Sequence, residues 1–145
     1  MRSKSEVGSI GEDIACEYLK ERGYRIIDRN VKHSWGELDI VAKNREGVLV
    51  FIEVKTLQGQ REPYRPEDHY NYAKSEKTKR AAQLFAGKNS NLLSEKSGWR
   101  IDLVAIVINN PMLTDYRKDC DIRHYENNPS SVTNNANSSN SEASF

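Results

Sequence analysis

Cysteine is scarce in this chain: Cys16 and Cys120 stand alone among 145 residues, with no CxxC pair and no clustered histidines. A disulfide scaffold is thereby excluded and a zinc site disfavoured, while two isolated thiols suit a reducing cytoplasm. Long hydrophobic runs are missing as well. The longest, Val48 to Ile52 and Leu103 to Ile108, fall far short of the roughly 20 residues a membrane helix needs. No apolar stretch follows the N-terminal residues, so no secretory signal is expected. Charge of one sign is also lacking. With 22 Lys+Arg against 21 Asp+Glu, the net charge is +1, which excludes binding nucleic acid by bulk charge alone. The last nineteen residues lack hydrophobic side chains. Six Asn and six Ser dominate them, and Val132, Ala136, Ala143 and Phe145 are the apolar exceptions. Such a composition cannot offset its ordering entropy, so residues 127–145 are expected to be a disordered tail behind a single domain over 1–126.

Within that domain the hydrophobic periods change in a definite order. Val7, Ile10, Ile14, Ala15, Tyr18 and Leu19 recur at helical spacing, and Gly23 is placed to close the helix as its C′ residue. Strands are expected over Tyr24 to Val31 and Glu37 to Lys43. The turn Asn44-Arg45-Glu46-Gly47 then leads into the strongest strand, Val48 to Thr56. Two prolines and mixed charge mark 58–69 as a surface loop. A second helix follows over about 71–87 with Asn71 as N-cap, then a strand over Trp99 to Ile108 buried on both faces and a short strand near Asp121 to Tyr125. The order α-β-β-β-α-β with a weak final strand predicts an α/β fold, a mixed sheet flanked by helices.

Period-two geometry singles out a few charged residues. Glu53 and Lys55 share one face of their strand while Val50, Ile52 and Val54 take the other. On the preceding strand, Asp39 points with Glu37 and Val41, opposite Leu38, Ile40 and Ala42. Paired through the intervening turn, Asp39 and Glu53 reach one face of adjacent strands. Two carboxylates converging with a lysine suit a hard divalent cation such as Mg²⁺. A cross-strand salt bridge among Glu37, Asp39 and Lys55 fits the same pattern. Glu12 has two readings as well: Ser9-Ile10-Gly11-Glu12 fits a capping box, and its place beside Ala15 and Leu19 also lets it lean over the sheet edge.

On the second helix, Ala73, Ala81, Leu84 and Phe85 define an inward face, and heptad spacing sets Lys74 and Lys77 along it. Snorkelling lysines account for either one alone. From Lys74 to Arg100 there are seven basic residues against Glu76 and Glu95, a modest phosphate-facing surplus.

Glu12, Asp39 and Glu53-Val54-Lys55 in this order resemble the active-site signature of the PD-(D/E)xK nucleases, especially archaeal Holliday junction resolvases. More closely, the chain resembles the UPF0102 (YraN-like) family. The motifs that carry this likeness are Gly11-Glu12, Gly23-Tyr24, Arg29-Asn30, Gly36-Glu37-Leu38-Asp39, Phe51-Ile52-Glu53-Val54-Lys55-Thr56, Lys74 ahead of Ala81-Ala82, and Arg100-Ile101-Asp102. Leu57 departs from the pattern, standing where the family often has arginine, and removes one implied phosphate contact.

The resemblance implies a restriction-endonuclease-like core and a metal-dependent endonuclease acting on DNA, branched DNA included. Asp39, Glu53 and the Val54 carbonyl would bind Mg²⁺ or Mn²⁺, with Glu12 binding directly or through water. Lys55 would stabilise charge on the attacked phosphate, and Lys74 and Lys77 would contact the DNA backbone. No membrane partner is expected, and a homodimer is left open. A non-catalytic nucleic-acid-binding module that keeps the fold is the alternative.

Overall fold

The computed structural model describes residues 2–34, 36–59, 72–93 and 98–126, with side chains in the third stretch described from Glu76 onward. The first helix, α1, spans Lys4–Glu21. It begins earlier than Ser9 would have it, because the capping box is Ser3 with Glu6: Ser3 Oγ accepts from the Glu6 amide and Glu6 Oε1 accepts from the Ser3 amide. The Ser9 box is therefore a correction, and Glu12 is freed from a capping role. The far end closes as expected. Gly23 takes φ +89, its amide donates to the Lys20 carbonyl, and the Tyr24 amide donates to the Leu19 carbonyl. That is the Schellman arrangement, in which a residue without Cβ satisfies the last carbonyls.

Five strands follow: β1 (Arg25–His33), β2 (Gly36–Lys43), β3 (Leu49–Gln58), β4 (Trp99–Ile108) and β5 (Cys120–Tyr125). The second helix, α2 (Tyr72–Lys88), lies in sequence between β3 and β4. A 3₁₀ turn, Ser90–Leu92, and a one-turn helix, α3 (Tyr116–Asp119), were not legible in the periodicity. The sheet order is β1-β2-β3-β4-β5, antiparallel throughout except for the parallel β3–β4 pair. A parallel neighbour needs a crossover, and α2 lies in that connection. The Asn71 cap, most of the 58–69 loop and the tail lie outside the described residues.

Both sheet faces are covered. On one, Ile14, Ala15 and Leu19 of α1 pack on Ile40, Ala42, Val50, Ile52, Val104 and Ile106. On the other, Ala81, Ala82, Phe85 and Ala86 of α2 pack on Leu38, Val41, Leu49, Phe51 and Ile101. β4, between two neighbours and two layers, is buried from Ile101 to Ile108, which is why it reads as a continuous apolar run. No helix among the described residues is long and apolar enough to cross a membrane.

Two details of facing differ from strict periodicity. Leu38 packs with Val41 on the α2 side rather than with Ile40 and Ala42, so the alternation of β2 breaks at Asp39. The buried arc of α2 is also rotated from the expected one. It runs through Thr78, Ala81, Ala82, Phe85 and Ala86, leaving Leu84 37% exposed and Lys77 in solvent.

Candidate active site

The break at Asp39 has a cause in the sheet. β2 and β3 are paired from Lys43–Leu49 up to Ile40–Ile52 and no further. Continuing the register would set Asp39 directly opposite Glu53. Instead the strands part, and the Asp39 carboxylate enters the opening, where Oδ2 accepts from the Val54 amide at 2.9 Å. A side chain thus replaces a ladder bond. A strand residue that turns its N–H to one neighbour turns its C=O the same way, so the Val54 carbonyl faces the same opening.

Glu53 lies on the α2 face with Phe51, as period two requires, and is 3% exposed. Its two oxygens are held from different elements. Thr78 of α2 donates from Oγ1 to Glu53 Oε1 at 3.3 Å, and Lys55 Nζ lies 3.3 Å from Oε2. Lys55 is itself 17% exposed, its charge directed into the site rather than into bulk water. A buried carboxylate is tolerated only when paired and hydrogen-bonded. Thr78 supplies part of that and was missed in the sequence. Its signal was present: a hydroxyl on the helical arc of Ala81, Ala82 and Phe85, one residue away from Lys77.

Glu12 occupies a different surrounding. Gly11 packs so closely on Thr56 that a Cβ there would lie 1.9 Å from Thr56 Oγ1, which brings α1 down onto β3 just beyond Lys55. The Glu12 carboxylate then turns to β1, with Arg29 Nη2 at 3.8 Å from Oε1. Arg29 holds Asp13 more tightly, at 2.8 Å. Burial raises the Glu12 pKa above its ordinary value, and Arg29 with a hydrogen bond from Asn30 offsets part of the rise. The Arg29-Asn30 motif thus acts as the clamp on Glu12.

Among the described residues, no three His, Cys, Asp or Glu side chains gather as a metal-binding group. Asp39 and Glu53 carry the hard carboxylate oxygens that a divalent ion such as Mg²⁺ takes, and here they engage the Val54 amide, Thr78 and Lys55. Lys77, expected along the inward face of α2, is instead solvent-exposed, since Thr78 takes the buried place. Lys74 stands in the first turn of α2, with its side chain outside the described residues.

A mixed five-stranded sheet between two helices, with acidic residues where β2 and β3 diverge, is a restriction-endonuclease-like core. The family model described as "Uncharacterised protein family UPF0102" matches residues 11–106, and the chain belongs to that family. It is 38% identical over 104 residues to a UPF0102 protein of Clostridium botulinum (strain 657), covering 72% of this chain and 81% of the relative. A UPF0102 protein of Desulforamulus reducens is 36% identical over 106 residues, covering 73% and 84%. One of Fervidobacterium nodosum is 35% identical over 119 residues, covering 81% and 77%.

Proposed function

We propose that this chain is a metal-dependent endonuclease of the cytoplasm, hydrolysing phosphodiester bonds of DNA, branched DNA included, with Mg²⁺ or Mn²⁺. The observation that carries the reading is the parting of β2 and β3. It sets the Asp39 carboxylate and the Val54 backbone at one opening, with Glu53 and Lys55 on the same strand. A divalent ion bound there would polarise the phosphate and activate a water. Asp39 and Glu53 hold the ion, and the Val54 amide keeps the Asp39 carboxylate aimed. Thr78 fixes the rotamer of Glu53. Lys55 places a positive charge beside the carboxylate, where it balances negative charge growing on the phosphate. Glu12 serves from the α1 side, through water.

Three variants test this reading on linear, supercoiled and four-way-junction DNA with Mg²⁺ or Mn²⁺. Lys55→Met keeps the stem and removes the charge. It is expected to bind DNA nearly as well as the parent and to cleave about a hundredfold more slowly. Asp39→Asn and Glu53→Gln are expected to lose Mn²⁺ binding by calorimetry with the fold intact. A parent that cuts no substrate with either metal, or a Lys55→Met variant that cuts at the parental rate, overturns the catalytic reading. The pairing of Glu53 with Lys55 and Thr78 supports a second reading, a nucleic-acid-binding module on the same fold, which predicts retained DNA binding without metal dependence.

A further inference from the structure

A second constellation lies at the other end of β3 and on the opposite face of the sheet. A cleft of about 520 Å³ opens between the C-terminal end of α1, the β2–β3 turn and the first residues of β4. That volume is in the range of small-molecule sites. Its floor is a buried polar network. Asp102, fully buried, accepts from Arg100 Nε at 2.9 Å and Nη2 at 3.2 Å, and lies 2.8 Å from His124 Nε2. With Nε2–H donated to Asp102, His124 Nδ1 accepts from the Tyr18 hydroxyl at 3.3 Å. Tyr24 accepts from Arg100 Nη2 at 3.1 Å and lines the cleft, so its hydroxyl proton is not used in that bond. Burial pushes the Tyr24 pKa up to about 12, so that proton is retained.

The rim carries charges of both signs. Arg22 lies over the Tyr18 ring at 4.0 Å, and Arg45 packs across Gly23, where a Cβ would meet its Nε at 2.1 Å. Both are exposed, and the Schellman bonds beneath Arg22 satisfy the last helix carbonyls that would otherwise repel an anion. Glu46 and Glu126 share the lining, with Glu126 lying 3.7 Å from Arg100. Asn44 uses its carbonyl oxygen on the Glu46 and Val48 amides, so its amide nitrogen remains a donor. Arg22 and Arg45 suit an anionic group, while the Tyr24 and His124 rings, the Asn44 amide and the glutamate acceptors suit an aromatic, hydrogen-bonding one. A ligand that carries both a phosphate and such a ring uses this lining better than a bare anion does.

We propose that this cleft binds a nucleoside 5′-phosphate, with the phosphate held by Arg22 and Arg45 and the base lodged against Tyr24 and His124 above the Asp102–Arg100 floor. The shared chemistry comes from two sources, a free mononucleotide or the 5′-phosphorylated end of a nucleic-acid strand. None of these residues belongs to the Asp39–Glu53 opening, so the inference stands independently of the endonuclease reading.

Calorimetry and His124 ring resonances of the full chain test it, with inorganic phosphate, AMP, adenosine, and a tetranucleotide with and without a 5′-phosphate as probes. AMP is expected to bind about tenfold or more tightly than either phosphate or adenosine, one charge-assisted contact being worth at least that factor. Arg22→Ala with Arg45→Ala is expected to lose at least about tenfold for AMP while Asp39→Asn binds it unchanged. A 5′-phosphorylated tetranucleotide tighter than AMP assigns the site to strand ends, and equal affinity assigns it to free nucleotides. Binding of AMP no tighter than phosphate, an unaltered affinity in the double arginine variant, or unmoved His124 resonances would overturn the proposal.

Discussion

Glu12 and Thr78 show how a single side chain depends on what is packed around it. Burial raises the Glu12 pKa from its ordinary 4.5, with Arg29 and Asn30 offsetting part of the rise. A carboxyl whose pKa is raised on folding adds stability below the unfolded value, and that stability is lost as pH rises through the folded value. Glu12→Gln is neutral at every pH and keeps Asp13 on Arg29. It is expected to melt higher than the parent at pH 7, with the difference vanishing below about pH 4.5. Thermal scans across pH 4 to 7 check this, and a variant that melts lower at pH 7 contradicts it. Thr78→Val keeps the shape and removes a donor to the buried Glu53. We expect a loss of about 1.5–3 kcal/mol in urea denaturation, the scale of a lost hydrogen bond to a charged group. The Glu53–Lys55 face was legible because period two holds along β3. Thr78 was not, because an inward arc anchored on Leu84 rather than Ala82 turns the helix by one residue and exchanges Thr78 for Lys77.

At the scale of elements, the contact that decides the geometry is α1 against β3. Gly11 meets Thr56 with no room for a Cβ, so α1 settles closer to the sheet than any other residue would allow. Gly11→Ala is expected to cost about 1–3 kcal/mol, the usual scale of overpacking. Thr56→Ala in the same chain removes the nearest clashing atom and is expected to recover part of that loss. A double-mutant cycle measures the coupling. Additive effects would show that the helix simply shifts. Helix and strand positions were legible from periodicity: β4 runs from Trp99 to Ile108 as its apolar pattern predicts. The register between elements was not. Nothing in the local pattern of Gly36 to Lys43 says that pairing with β3 stops at Ile40.

For the molecule as a whole, Asp102 ties β4 to β5 and carries a distinct pH signature. Burial alone would raise its pKa, but the hydrogen bond with His124 and the charge and hydrogen bonds of Arg100 outweigh it and hold the carboxyl below its ordinary 3.8. A carboxyl with a depressed pKa stabilises the fold above its unfolded value, and that contribution disappears as pH falls through the folded value. Asp102→Asn is therefore expected to be less stable than the parent by about 3–5 kcal/mol at neutral pH, because it leaves Arg100 without its counter-charge and His124 without its carboxylate partner. The deficit should shrink below about pH 4, and acid titration of both proteins by circular dichroism measures it. A deficit that persists unchanged at pH 2 would assign the loss to packing instead. The sequence by itself determined the element order, the two-sided burial of β4, the helix end at Gly23 and the pairing of Glu53 with Lys55, since each follows from the period of one segment or the chemistry of one residue. The tertiary structure alone decided the parting of β2 and β3, the clamp of Arg29 on Glu12, and the meeting of Tyr18, Asp102 and His124. These rest on contacts between distant segments, whose geometry is set by how layers pack and which no local periodicity encodes.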